Sequence, residues 1–172
     1  MLKKFTTKRI VLVSLFTAAS LIAFLIEQLF PPLFVPGAKL GLSNIFSLAA
    51  LVILGPLDAI FVVTAKTVIG SLFGNVSTLI YSFSAGIISI CVQCILFYFV
   101  FPRISLISIS VVGAIAHNLT QNAIYALMIA SPLALVYLPY LAVTGVIGGL
   151  LVGTAVHTAV KKIPSSQFQK LF

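Results

Sequence analysis

One stretch of the chain, near residue 120, holds the densest group of hydrogen-bonding side chains: His117, Asn118, Gln121, Asn122 and Tyr125. On a helix these five positions fall within an arc of about 140°. Such side chains are costly against lipid, so this face is expected to point into a helical bundle. Hydrogen bonding between helices usually takes one or two such residues, which favours a ligand-facing wall, but interhelical hydrogen bonding remains the alternative.

A lysine lies near the middle of another apolar run. Lys66 would be buried in a bilayer, where an ionisable side chain indicates a functional site and an anion is its natural partner. Glu27, toward the outer end of the first apolar run, is the other partner that the sequence offers, and both pairings stay open. Gly70 and Gly74 follow at a spacing that allows close helix approach, which would bring Lys66 next to a neighbouring helix.

A third group of candidate binding residues lies in the expected outer connections. Lys39 precedes the predicted second helix, and Asn44 lies in its first turn. Free N–H groups at a helix N-terminus attract anions, so these two residues could hold a phosphate or carboxylate. Asn75, in the turn after the third apolar run, is assigned to the same outer site.

Small residues recur at intervals of four in the first and last apolar runs. Ala19 and Ala23 form such a pair in the first, and Gly145, Gly149 and Gly153 form a series in the last. These patterns let helices approach closely and most often serve internal packing. One exposed face of this kind could instead dock a partner subunit.

The composition indicates which solvent surrounds these residues. Hydrophobic residues make up 61% of the 172 residues and charged residues 7%, against about a quarter charged in a soluble domain. We therefore expect an integral membrane protein. Glu27 and Asp58 are the only acidic residues, which argues against an enzyme that clusters carboxylates around magnesium. The sequence also lacks a phosphate-binding P-loop, and we expect no catalytic residue, metal or cofactor.

The apolar runs predict an all-α fold, a bundle of six transmembrane helices in a single membrane domain over residues 1–172. The expected spans are about 10–30, 42–56, 58–74, 78–101, 105–130 and 133–160. The second and third are short and are either two short spans or a re-entrant hairpin. Basic residues flank the first and last runs, and Arg103 lies in a break between two runs. An even number of spans places all of them, and both termini, in the cytoplasm.

Three segments resemble the Gx transporter family, which is also labelled heptaprenyl diphosphate synthase component I. They are residues 36–44 (PGAKLGLSN), 70–74 (GSLFG) and 113–121 (GAIAHNLTQ), and the resemblance runs from about residue 8 to 160. That family is similar to the S-components of energy-coupling factor (ECF) transporters, six-helix proteins that capture a vitamin-like molecule from outside. Many relatives carry Arg where this chain has Lys66, which would weaken bidentate recognition of a phosphate.

The resemblance implies a multi-pass protein of a prokaryotic cell membrane that captures an anionic small molecule, with a flavin such as riboflavin, FMN or FAD as the leading ligand. It also implies docking on a transmembrane coupling subunit driven by two cytoplasmic ATPases, with Ala19 and Ala23 as the docking face. The other label implies a different function, a non-catalytic membrane subunit linked to prenyl diphosphate or quinone synthesis. No nucleic acid partner is expected, because the basic residues flank apolar helices.

Overall fold

The computed structural model describes residues 7–29, 41–73 and 76–163. This part of the chain is all-helical, as the sequence predicts. Its elements are α1 (Thr7–Leu29), α2 (Asn44–Ile53), α3 (Pro56–Phe73), α4 (Thr78–Phe99), α5 (Leu106–Met128), a 3-10 helix (Pro132–Tyr137) and α6 (Leu138–Lys161).

Four segments of the described chain are long and apolar enough to cross a membrane: α1, α3, α4 and the stretch Pro132–Lys161. At 1.5 Å per residue, the 23 residues of α5 extend about 34 Å, which is also sufficient. The His, Asn and Gln side chains of α5 lower its mean hydropathy. The expectation of a multi-pass membrane protein thus agrees with the helices themselves.

The shortest α-helix lies at the centre of the bundle. Residues 42–56 are predicted to form either a short span or one arm of a re-entrant hairpin, and α2 has 10 residues, or about 15 Å of helix against a hydrocarbon core of about 30 Å. It contacts α1, α3, α4 and α6, and residues 47–52 are all buried. A strongly apolar helix is either enclosed by other helices or spans the hydrocarbon core, and α2 is too short to span it. The stability of α2 therefore depends on burial among its neighbours.

Contacts at the two ends of segment 42–58 show how far it extends along α1. The Leu42 N–H donates to Glu27 near the end of α1, whereas Asp58, just after the Gly55–Pro56 turn, pairs with Arg9 near its start. Arg9 and Glu27 are about 27 Å apart along the helix axis. The segment 42–58 thus runs most of the length of α1, and the two acidic residues lie at opposite ends of the bundle.

α5 packs between α4 and α6, and its contact with α6 depends on three glycines. A Cβ atom at Gly145, Gly149 or Gly153 would lie 2.5–3.1 Å from backbone atoms of α5. The sequence prediction that this glycine series serves internal packing is therefore confirmed. On the other side of α5, the Ser89 hydroxyl of α4 donates to the Gly113 carbonyl at 2.7 Å.

The expected last span, 133–160, differs in its first residues. Instead of one continuous helix, residues 132–137 form the 3-10 helix and α6 begins at Leu138. Pro132 opens the 3-10 helix and Pro139 lies in the first turn of α6, positions where the missing N–H costs no helical hydrogen bond.

Candidate ligand-binding cavity

Glu27 holds the N-terminus of α2. Its carboxylate accepts hydrogen bonds from the N–H of Leu42 at 2.7 Å and, more weakly, from the N–H of Ser43 at 3.4 Å. These two residues lie in the turn just before α2, and a carboxylate beside the positive N-terminal end of a helix is favourable. The Ser20 hydroxyl adds a second link from α1 by donating to the Ser43 carbonyl at 2.8 Å.

Lys66 reaches the same turn from α3. Its side chain is 4% exposed, and Nζ donates to Asn44 Oδ1 at 2.7 Å and to Ser43 Oγ at 3.1 Å. These acceptors lower the cost of holding an ammonium group away from water. The close approach predicted at Gly70 is present, because a Cβ there would overlap the ring of Phe24 in α1. Glu27 and Lys66 therefore both bind the first turn of α2.

A cavity of about 50 Å³ opens beside this cluster and is lined by residues of all six α-helices. Its polar wall combines one carboxylate and one ammonium with neutral hydrogen-bonding side chains. The polar lining residues are Glu27, Ser43, Asn44, Lys66, Thr67, Ser82, Gln93, Ser110, His117, Asn118, Gln121 and Thr144. The candidates Asn44, Lys66, His117, Asn118 and Gln121 thus meet around one space.

The polar row of α5 does not act as one wall. His117, Asn118 and Gln121 line the cavity, but the Asn122 amide donates to the Ala134 carbonyl and fixes the 3-10 helix against α5. Tyr125 is 39% exposed and packs edge-on against Tyr81, with ring centroids 5.8 Å apart. The reason is the width of the predicted arc, which extends past the cavity to reach neighbouring elements.

Asn118 takes part in both of the roles predicted for this polar face, interhelical hydrogen bonding and lining of a cavity. Its amide donates to the Leu141 carbonyl at 3.0 Å and to Thr144 Oγ1 at 3.4 Å, which joins α5 to α6. It also lines the cavity. Hydrogen bonding between helices therefore accounts for Asn122 and partly for Asn118, while His117 and Gln121 remain candidates for ligand contact.

The remaining predicted site residues lie elsewhere. Lys39 and Asn75 fall outside the described residues. Ala19 and Ala23 are partly exposed on α1, and their role in docking stays a prediction.

Six polar residues of the lining were not predicted as site residues: Ser43, Thr67, Ser82, Gln93, Ser110 and Thr144. For Gln93 a signal was present, since it is the only amide side chain in the apolar run that forms α4. A lone amide in such a run is expected to face the interior. Serine and threonine give no comparable signal, because they often donate to the carbonyl four residues earlier in their own helix.

The size of the cavity limits what it holds in this conformation. A volume of about 50 Å³ suits a few water molecules, whereas drug-sized ligands occupy about 300–1,000 Å³. A vitamin-sized ligand would require the surrounding helices to separate. The polar wall has the groups to bind an anion or a hydrogen-bonding headgroup.

Comparison with known proteins gives a family for this arrangement. No curated protein matches the chain. The family model described as heptaprenyl diphosphate synthase component I matches residues 16–159, a range that begins within α1 and ends within α6. Since this match covers most of the chain and every helix of the cavity, the protein belongs to the heptaprenyl diphosphate synthase component I family.

Proposed function

We propose that this protein is a non-catalytic membrane subunit that binds an anionic small molecule in the Lys66 cavity and serves prenyl diphosphate or quinone synthesis. The observation that carries the proposal is the buried ammonium of Lys66, held by Ser43 and Asn44 at the cavity wall. The family description supports the link to prenyl diphosphate synthesis.

The charges around the cavity favour an anion. A phosphate or carboxylate that enters would meet Lys66 and the positive end of α2 on one side, and His117, Asn118 and Gln121 on the other. Glu27 offsets part of this positive charge, because its carboxylate accepts from the N–H groups of Leu42 and Ser43 in the turn that precedes α2. The ligand would therefore be held by one ammonium group and several neutral donors.

Catalysis of prenyl transfer would belong to a partner subunit. Glu27 binds the N-terminus of α2, and Asp58 pairs with Arg9 at the other end of the bundle. Two carboxylates so placed do not form the cluster that holds magnesium around a diphosphate. In this proposal the chain supplies the membrane-embedded binding site and the partner supplies the carboxylates. All six helices lie within the bilayer, and both termini are in the cytoplasm.

The second candidate function is that of an S-component of an ECF importer. The resemblance of residues 36–44, 70–74 and 113–121 to the Gx transporter family favours this function, as do the partly exposed Ala19 and Ala23. The ligand would then be a vitamin-like anion such as a flavin nucleotide, and the partners would be a coupling subunit and two ATPases. Both candidates use the same cavity, so they differ in partner and in ligand.

Ligand binding is tested with the purified chain in detergent and inorganic pyrophosphate as probe. We expect pyrophosphate to raise the thermal unfolding midpoint of the wild type, and Lys66→Met to weaken binding at least tenfold because it removes the buried charge. Lys162→Met is the matched control, since Lys162 is an exposed lysine at the end of α6. Unchanged binding in both Lys66→Met and Gln121→Ala would contradict the assignment of this site.

The process is tested by identifying the proteins that co-purify from the native host. A soluble subunit with the aspartate-rich motifs of prenyl synthases supports the first candidate. Recovery of a coupling subunit together with ATPases would replace it by the second.

A further inference from the structure

The cavity continues past the Lys66 cluster into the bundle. On α5, Ser110 lies two turns closer to the helix start than His117, or about 10 Å along the axis. Both side chains line the same cavity, as does Gln93 from α4. The deep half of the cavity is therefore polar, although it is surrounded by apolar helices.

Ser110 is 1% exposed, and its hydroxyl has no hydrogen-bond partner among the residues that the structure describes. Buried hydroxyl groups nearly always have a partner, and serine in a helix commonly donates to the carbonyl four residues earlier. The Ser110 Oγ atom is instead left for a partner that occupies the cavity.

Gln93 lies in the same region and is held in place by α5. Its side chain is 4% exposed, and its amide packs against Gly113, where a Cβ atom would overlap it. The absence of a side chain at Gly113 therefore gives Gln93 its position beside the cavity. An amide can both donate and accept, and neither Gln93 nor Ser110 carries charge.

We propose that Gln93 and Ser110 form a second subsite that binds an uncharged hydrogen-bonding group of the ligand, such as a carbonyl or hydroxyl. This inference rests on the proposed function, since it takes Lys66 as the subsite for the anionic group. The ligand then carries a carbonyl or hydroxyl group that lies deeper in the bundle than its anionic group. A ligand with a wholly apolar tail would leave the amide and the hydroxyl buried without partners, which is unfavourable.

The proposal is tested by comparing two probes with phosphate ends, of which the second is a diphosphate with more negative charge, so charge alone would favour the second. Flavin mononucleotide carries carbonyl groups on its ring, and farnesyl diphosphate carries a wholly apolar chain. With the full chain in detergent, we expect the dissociation constant of flavin mononucleotide to be at least tenfold lower. Equal binding of the two probes, including no binding of either, or tighter binding of farnesyl diphosphate, overturns the proposal.

Two serine variants separate ligand contact from folding. Ser110→Ala removes a hydroxyl without a described partner, so the unfolding midpoint of the free protein should stay the same or rise, while flavin mononucleotide binding weakens about three- to tenfold. Pyrophosphate binding should not change, because it needs only the Lys66 subsite. Ser89→Ala is the matched control: its hydroxyl donates to Gly113 in the α4–α5 contact, so the midpoint should fall.

If Ser110→Ala leaves flavin mononucleotide binding unchanged, the hydroxyl contacts only water or nothing, and the subsite is refuted. That result is distinguishable from failure of the proposed function, which pyrophosphate binding to the wild type and to Lys66→Met decides independently.

Discussion

Glu27 accepts hydrogen bonds from the N–H groups of Leu42 and Ser43, in the turn that leads into α2 and whose side chains hold Lys66. The carboxylate is 8% exposed, so it is kept away from water by these contacts. It balances both the ammonium of Lys66 and the partial positive charge of the helix end. Glu27 therefore affects both the position of the α2 N-terminus and the net charge beside the cavity.

Replacing Glu27 should therefore affect folding more than an ordinary surface change. We expect Glu27→Ala to lower the free energy of unfolding by about 2–3 kcal/mol, because it leaves the partly buried N–H groups of Leu42 and Ser43 without their acceptor and removes the negative charge closest to the helix end. The measurement is denaturant or thermal unfolding of the purified protein in detergent.

Gln28→Ala is the control for that prediction, since Gln28 is the exposed neighbour in the same helix turn. Adding Lys66→Met to Glu27→Ala should recover part of the loss, because one buried positive charge beside the missing carboxylate is then removed as well. If Glu27→Ala and Gln28→Ala unfold alike, the proposed capping of α2 by Glu27 does not contribute to stability.

Some individual residues of the candidate site could be predicted from the sequence. Lys66 and the amide-rich row of α5 stand out because charged and amide groups are rare in apolar runs. Which of these residues line the same cavity depends on the rotation of each helix about its axis and on the position of α2 inside the bundle. Both are set by tertiary contacts. Asn122 shows the limit, because its partner is the Ala134 carbonyl of an element that the hydrophobic pattern does not reveal.

At the scale of the helices, the contact between α5 and α6 brings two backbones together. The glycines of α6 face Ile107, Val111 and Ile115, and their missing side chains allow the approach. This contact holds His117 and Asn118 of α5 opposite Thr144 of α6 at the cavity. The position of one polar wall therefore depends on how closely these two helices approach.

Gly149→Ala should disturb that contact. A Cβ atom at this position would lie 2.5 Å from the Cα of Val111, and backbone atoms cannot yield as a flexible side chain does. We expect a loss of about 1–3 kcal/mol in the free energy of unfolding, and weaker pyrophosphate binding because the helices are displaced. Thr154→Ala, on the exposed side of α6, should change stability by less than about 0.5 kcal/mol.

The lengths of α1, α3, α4 and α5 follow from the extent of their apolar runs, and their ends agree with the prediction within a few residues. The end of α2 differs by a similar margin. Its apolar run continues through Leu54 to the Gly55–Pro56 turn, whereas α2 ends at Ile53 and the Leu54 N–H still donates to the Ala50 carbonyl. Periodicity and hydropathy report burial, and they do not report where a helix ends when its neighbours bury both the helix and the turn.

At the scale of the whole molecule, successive helices of the described chain run in alternating directions. Arg9 beside Asp58 places the starts of α1 and α3 at the same end, and the turn at residues 100–105 and the end of α6 follow at that end. Four exposed basic residues, Lys8, Arg103, Lys161 and Lys162, lie there. Basic residues are retained in the cytoplasm, which supports the proposed orientation.

Labelling with a membrane-impermeant thiol reagent tests this arrangement. In a background with Cys91→Ala and Cys94→Ala, we expect Lys8→Cys, Arg103→Cys and Lys162→Cys in intact cells to react only after the membrane is permeabilised. Ser77→Cys, at the start of α4 and the opposite end, should react without permeabilisation. Reaction of Ser77→Cys and Arg103→Cys from the same side would contradict the alternation of the helices.

The two acceptors described for Lys66, Ser43 and Asn44, belong to the same hairpin as the lysine itself. A 10-residue helix is too short to be retained in the bilayer alone during synthesis, so α2 must leave the translocation channel together with α3. Because the hairpin carries these two acceptors for the ammonium group, we expect Lys66 to have protein partners as soon as α2 and α3 pack together in lipid. Assembly of the binding site would then begin with this hairpin.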